Sequence, residues 1–289
     1  MKVAPIIHTR TFSCDFNSEF LVRPECFMDS DIKWARKNVL GATGEIDGLQ
    51  GVRWLIADNG KYRMAGVVGF LKNICMKCQL SETDKIKSEE LFCDDKGRLV
   101  YAFIGVVIDK RHNFDYGSIS LDYLWKNYLE EIGPIWRRTY QEVVLKDFRD
   151  INEKSAVSKT SLESVIAGSK NLYEANAVSD YELFSDFLCN TSKDNFSFCS
   201  NIMDFNMVKQ SEFTIITTSQ NIITRITRDN IVEPSIVLNE QPSQLNNSTD
   251  EPEFYKTSET KKKRIVALVL GLTILVLLIL MLLLTKKTG

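Results

Sequence analysis

The residues best equipped for chemistry in this chain are few. Cys75 and Cys78 stand in a Cys-x-x-Cys pair, with Cys93 and His112 further on. Three thiolates and one imidazole are a tetrahedral zinc set in principle, and these four are the metal-ligand candidates. The spacing is loose and no second Cys-x-x-Cys or Cys-x-x-His pair completes it, so the metal assignment is none. A redox Cys-x-x-Cys needs a helix start after a strand in a βαβ setting, and Met76-Lys77 between these cysteines gives no such cue. The only histidines are His8 and His112, so a Cys–His nucleophile pair would draw on one of them with Cys14, Cys26 or Cys93. Free cysteine is more often a small buried hydrophobe. No phosphate-loop or dinucleotide glycine pattern occurs, and the carboxylates fall into no Asp-x-Asp or Glu-x-x-Glu arrangement. The chain therefore reads as more readily a binding protein than an enzyme, with no catalytic residue and no cofactor assigned.

The strongest feature lies at the other end. Ile265–Leu284 carries no charge and no proline, and only Gly271 and Thr273 depart from large apolar side chains or alanine. As a helix this stretch is about 30 Å long, the thickness of a bilayer's hydrocarbon core, and a helix is required because lipid offers no partner to the backbone. Lys261, Lys262, Lys263 and Arg264 precede it and Lys286 and Lys287 follow it, a bias that keeps the N-terminal side cytoplasmic. The apolar run near Met1 is too short for a signal peptide. Expected, then, is a tail-anchored single-pass protein with residues 285–289 beyond the bilayer: in the inner or cell membrane of a bacterium, or an internal membrane such as the endoplasmic reticulum of a eukaryote. Ala267 and Gly271 form a small-xxx-small pair that would let two such helices approach as a homo-oligomer.

Charge is unevenly distributed. Residues 1–149 carry a net +1, residues 150–260 a net −9 and residues 261–289 a net +6, within an overall −2. No basic surface for nucleic acid is expected in the body, and the cluster at 261–264 suits anionic headgroups. Seven scattered cysteines fit a reducing compartment. The sequons at Asn190, Asn195, Asn246 and Asn247 would be inert there.

The elements predicted are those of an α+β cytosolic body, a mixed or antiparallel sheet with covering helices, followed by a flexible linker and one C-terminal transmembrane helix. Residues 1–150 form the α+β domain. Strands are read in KVAPIIHTRTF and SEFLV. A helix over DSDIKWARKNVLG starts at Asp29, Ser30 or Asp31 and stops at Gly41, with Ile32, Ala35, Val39 and Leu40 on one side. A hairpin pairs roughly 52–57 with 62–71 through a type I′ turn at Asn59-Gly60. The run from Leu99 to Ile108 is a central strand buried on both faces, and its interior glycine, like that of MAGVVGFL, marks close packing. Two helices follow over 118–148, separated at Gly133-Pro134, with their aromatic residues read as core. Residues 151–229 are an acidic, mainly helical extension packing on or beside this domain, with helices in SLESVIAGSKNLYEANA and DYELFSDFLCN. EFTIITTSQNIITRIT reads as a strand or a buried helix edge. Residues 230–264 are the linker, ending in the basic juxtamembrane cluster.

These expectations describe a module, a linker and an anchor, with the lipid bilayer and a cytosolic protein as partners. The favoured function is a non-enzymatic sensor or adaptor that tethers a partner protein at the membrane. Its competitors are a membrane-disrupting effector of a bacterial defence or toxin system, triggered through the body, and a membrane-anchored enzyme.

Overall fold

The structure is a computed structural model that describes residues 1–16, 19–112, 119–151, 162–190 and 194–231. The N-terminal part runs β1 (Lys2–Thr9), β2 (Val22–Pro24), α1 (Asp29–Thr43), β3 (Val52–Asp58) and β4 (Tyr62–Phe70). There follow α2 (Leu71–Cys75), α3 (Glu82–Glu89), β5 (Tyr101–Asp109), α4 (Leu121–Ile132), β6 (Val144–Lys146) and β7 (Arg149–Asp150). The remainder is β8 (Val165–Ala167), β9 (Lys170–Glu174), α5 (Ala177–Asn190), β10 (Ser197–Cys199), α6 (Phe205–Gln210), β11 (Ile215–Thr218) and α7 (Gln220–Ile231).

All the strands join one mixed sheet in the order β6-β2-β1-β5-β4-β3-β10-β11-β9-β8, with β7 pairing β1. Its centre is antiparallel: β5 lies between β1 and β4, and β3 pairs β4. Side chains alternate across a strand, so each central strand feeds two cores. Ile104, Val106 and Ile108 enter one core with Leu124, Trp125, Leu183 and Phe184. Phe103 and Val107 enter the other with Ala35, Val39, Val208 and Ile223. Helices α2, α4 and α5 therefore cover one face and α1, α6 and α7 the other. The near-continuous apolar run read as a doubly buried strand is β5.

Gly66 and Gly105 sit directly opposite one another on β4 and β5. A Cβ on Gly66 would stand 2.3 Å from Ile104 O, and one on Gly105 would stand 2.5 Å from Phe103 Cζ. The Phe103 ring occupies the space two side chains would fill, so these glycines serve packing, as expected.

Four local expectations change. The β3–β4 hairpin forms, but its two-residue loop is Gly60-Lys61: Asn59 N donates to Tyr62 O, and only Gly60, at φ +83°, is left-handed. A type I′ turn needs both central residues there. Asn59 is not left-handed, and its Oδ1 accepts from Lys61 N and Tyr62 N. Helix α1 is capped at Met28, whose N–H donates to Asp31 Oδ2, and continues through Gly41 to Thr43. Gly41 packs beside the Phe213 ring, 3.4 Å from where a Cβ would stand, an ordinary contact distance. After α4 only one 3₁₀ turn, Gly133–Ile135, forms in place of a second helix. Trp136 buries against Phe12, and Val144 N donates to Leu21 O, so edge pairing outweighs helical periodicity. Lastly, SLESVIAGSKNLYEANA is the β8–β9 hairpin, turned at Gly168 with φ +62°.

The four strands of residues 162–231 extend the same sheet rather than standing beside it. β10 pairs antiparallel with β3, while β10, β11 and β9 are mutually parallel neighbours. α5 leads from β9 to β10 over one face, and α6 returns from β10 to β11 over the other. The DYELFSDFLCN helix is α5, and EFTIITTSQNIITRIT divides into β11 and α7.

Candidate functional site

Connections that leave parallel strands toward opposite faces open a crevice at the strands' carboxyl ends, where α/β sheets commonly bind ligands. Here the chain beyond β9 supplies Ala175 and Asn176, and the chain beyond β10 supplies Asn201 and Met203. The antiparallel β3 brings its first residues, Gly51 and Val52, to the same end. Lys77 and Gln79 beyond α2, with Leu121 and Asp122 of α4, close the other side. The cleft so formed holds about 680 Å³, within the range of small-molecule sites.

Its walls are well fixed. Asn176 Oδ1 accepts from Val178 N and starts α5. Ser120 Oγ accepts from Tyr123 N to start α4, and Asp122 Oδ1 accepts from Gln79 N at 2.8 Å. Asn201 adopts φ +55°, uncommon outside glycine, and its Nδ2 donates to Gln50 O and Val52 O. Gly51, at φ +101°, lies beneath the Lys77 stem. Trp54 and Tyr181 form an aromatic pair with centroids 4.9 Å apart.

At the back of the cleft stands Asp180. It is only 5% exposed, and its Oδ1 has no hydrogen-bond partner among the described residues. Burial pushes its carboxyl up to about 6, against the smaller opposing influence of Thr217, the Asn176 backbone and the Lys77 charge. A buried ionisable group with an unpartnered acceptor, at the wall of a cleft, makes Asp180 a candidate functional residue. The lining residues include two carboxylates, one ammonium, several amides and two aromatic rings, a set suited to holding a polar ligand.

The residues singled out from the sequence lie elsewhere. Cys75 and Cys78 are buried at and just beyond the end of α2. Burial raises both thiols, Cys78 to about 12, the opposite of what a nucleophile or a thiolate ligand needs. Cys93 forms an isolated bridge with Leu99, and the side chain of His112 lies outside the described residues. Among the described residues, no group of three or more His, Cys, Asp or Glu side chains is placed to hold a metal ion. His8 is buried between Phe16 and Phe20, and burial, with the Arg36 charge, lowers it to about 4, so it is neutral. Cys14 Sγ lies 3.8 Å from Arg138 O and Cys26 Sγ 3.2 Å from Tyr62 Oη.

The anchor residues Ile265 to Leu284, the pair Ala267 and Gly271, and the cluster Lys261, Lys262, Lys263 and Arg264 also lie outside the described residues. So do the linker beyond 231, Phe114 and Tyr116. Among the described residues no helix is long and apolar enough to cross a membrane.

Comparison of the chain with protein-family models, with curated proteins and with solved structures finds no match.

Proposed function

We propose that this chain is a tail-anchored, single-pass membrane protein whose cytosolic body is a non-enzymatic sensor or adaptor that holds a partner protein at the bilayer. The observation that carries the reading is the uncharged stretch Ile265–Leu284, with four basic residues before it and two after it. The cleft supports the sensor half. Its walls are built from five separate chain segments, so a ligand there touches the start of β3, the segment after α2, α4, α5 and the loop after β10 together, and its binding can bias how they pack.

Protease protection and cysteine labelling on sealed vesicles test the topology: Cys14 and Cys26 of the body should react only from the cytosolic side. Labelling from the opposite side overturns the orientation, and a fully soluble chain overturns the anchor. Affinity capture of the full chain from detergent-solubilised membranes should bring down a stoichiometric protein partner. A second reading, the membrane-disrupting effector, rests on the Ala267/Gly271 pair. Inducible expression of the full chain beside a chain ending at Glu259 separates the two. Growth arrest and leakage that require the tail favour the effector; harmless expression with a captured partner favours the adaptor.

A further inference from the structure

We propose that the cleft at the carboxyl ends of β9 and β10 binds a small zwitterion, with its ammonium against Asp180, its carboxylate toward Lys77 and its body along Trp54 and Tyr181. This goes beyond the tethering reading and stands or falls without it.

The first support is the open acceptor. Asp180 is nine-tenths and more buried, yet its Oδ1 receives no donor from the described residues. A buried acceptor left unmade is costly, and more so when it is charged. Asp180 is nevertheless one of the residues that line the cleft, so part of its side chain lies at the cleft wall while Oδ1 is covered. Asp180 lies in the first turn of α5, so the helix already supplies the positive end of its dipole there. What remains unmet is a hydrogen-bond donor, best a cationic one, from outside.

The second support is the aromatic wall. Trp54 and Tyr181 both line the cleft, and Tyr181 is the neighbour of Asp180 on α5. Ring faces beside a carboxylate are a favourable setting for an organic ammonium. The third is Lys77, which is exposed at the mouth and whose charge acts on Asp180. A simple cation would be opposed by Lys77, and a simple anion would be opposed by Asp180 and Asp122. A molecule carrying both charges meets each with its opposite. Specificity of this kind arises as much from the wrong pairings as from the right ones.

The test uses the full chain in detergent micelles. Thermal shift and calorimetric titration are run with each protein L-α-amino acid, β-alanine and γ-aminobutyrate, followed by the amine and the acid matched to the best binder. At least one zwitterion should bind saturably and raise the melting temperature. The matched amine and the matched acid should each bind at least tenfold more weakly. Asp180→Asn should lower the zwitterion's affinity at least tenfold while the protein still melts cooperatively, since the change removes a buried charge. Lys77→Met, at an exposed position, should erase the preference for the zwitterion over the matched amine. The proposal is overturned if no zwitterion binds, if the matched amine or acid binds as tightly, or if Asp180→Asn leaves affinity unchanged. Capture of the membrane partner does not depend on these outcomes, so the two readings fail separately.

Discussion

Replacing Asp180 by Asn should stabilise the body at neutral pH and not at acid pH. In the folded chain burial lifts the Asp180 carboxyl from 3.8 to about 6. The folded state therefore binds a proton more tightly than the unfolded state. Below 3.8 both states hold the proton, and the burial of this group carries no ionic cost. As pH rises from 3.8 through 6 the unfolded chain ionises first, and stability is lost until the folded carboxyl has ionised too. At 1.36 kcal/mol per pH unit the full loss is about 3 kcal/mol. Asn keeps the shape and does not titrate. The other charged and titratable groups sharing this cleft, Lys77, Asp122 and Tyr181, and Cys199 behind it on β10, are the same in both proteins and cancel in the difference. Urea unfolding of both proteins at intervals from pH 3 to 8 gives that difference directly. It should be smallest at pH 3, climb by about 3 kcal/mol, and level off above pH 7. For a body of this size that is roughly 6–12 °C in melting temperature. A difference that is flat with pH, or that grows toward acid, would refute the burial argument for Asp180.

Other expectations follow from the packing. Gly60→Val places a β-branched side chain at φ +83° and should cost at least about 1 kcal/mol, read as a lower urea midpoint with unchanged slope. Gly105→Ala forces a Cβ to 2.5 Å from the Phe103 ring and should cost about 1–3 kcal/mol; Phe103→Leu in the same chain should recover part of it. Asp58 is fully buried between Arg63, 2.8 Å away, and Lys110, 3.1 Å away. Asp58→Ala removes the buried carboxylate that Arg63 and Lys110 share, although Lys110 keeps Asp194, and a loss of about 3–5 kcal/mol is expected in the same assay, against little effect for a change at the exposed Glu82.

Much of the sheet was legible because its strands carry their own signals. Leu99 to Ile108 is apolar on both faces, and a β-rich pair of runs surrounds Asn59-Gly60. Where local and long-range preferences disagreed, the sequence misled. The run after Gly133-Pro134 has helical spacing, but its backbone is drawn onto the edge of β2, a partner more than a hundred residues earlier. Gly41 reads as a helix stop, yet α1 runs through it to Thr43. The cleft was harder still, because five separated segments meet there. One cue was available: Asp180 falls in register with Leu183, Phe184 and Leu188, placing an acid on the buried stripe of α5. A charge on an apolar stripe signals either a buried ion pair or a site. Cys75 and Cys78 drew the eye by type and spacing, yet both are core.

The pairing of β10 with β3 has a consequence for the order in which the body is made. Once β5 has left the ribosome, β1, β3, β4 and β5 can associate, but β3 then ends the sheet with its backbone donors and acceptors open. Its cover, Ser197–Cys199, is completed about 90 residues after Asp109, where β5 ends. At roughly 5–20 residues per second the wait is about 5–18 s. Throughout that interval the nascent chain displays an apolar edge that invites pairing with other chains, and a holding chaperone would find its footing there. The edge closes only once Ser197–Cys199 has emerged and paired with β3.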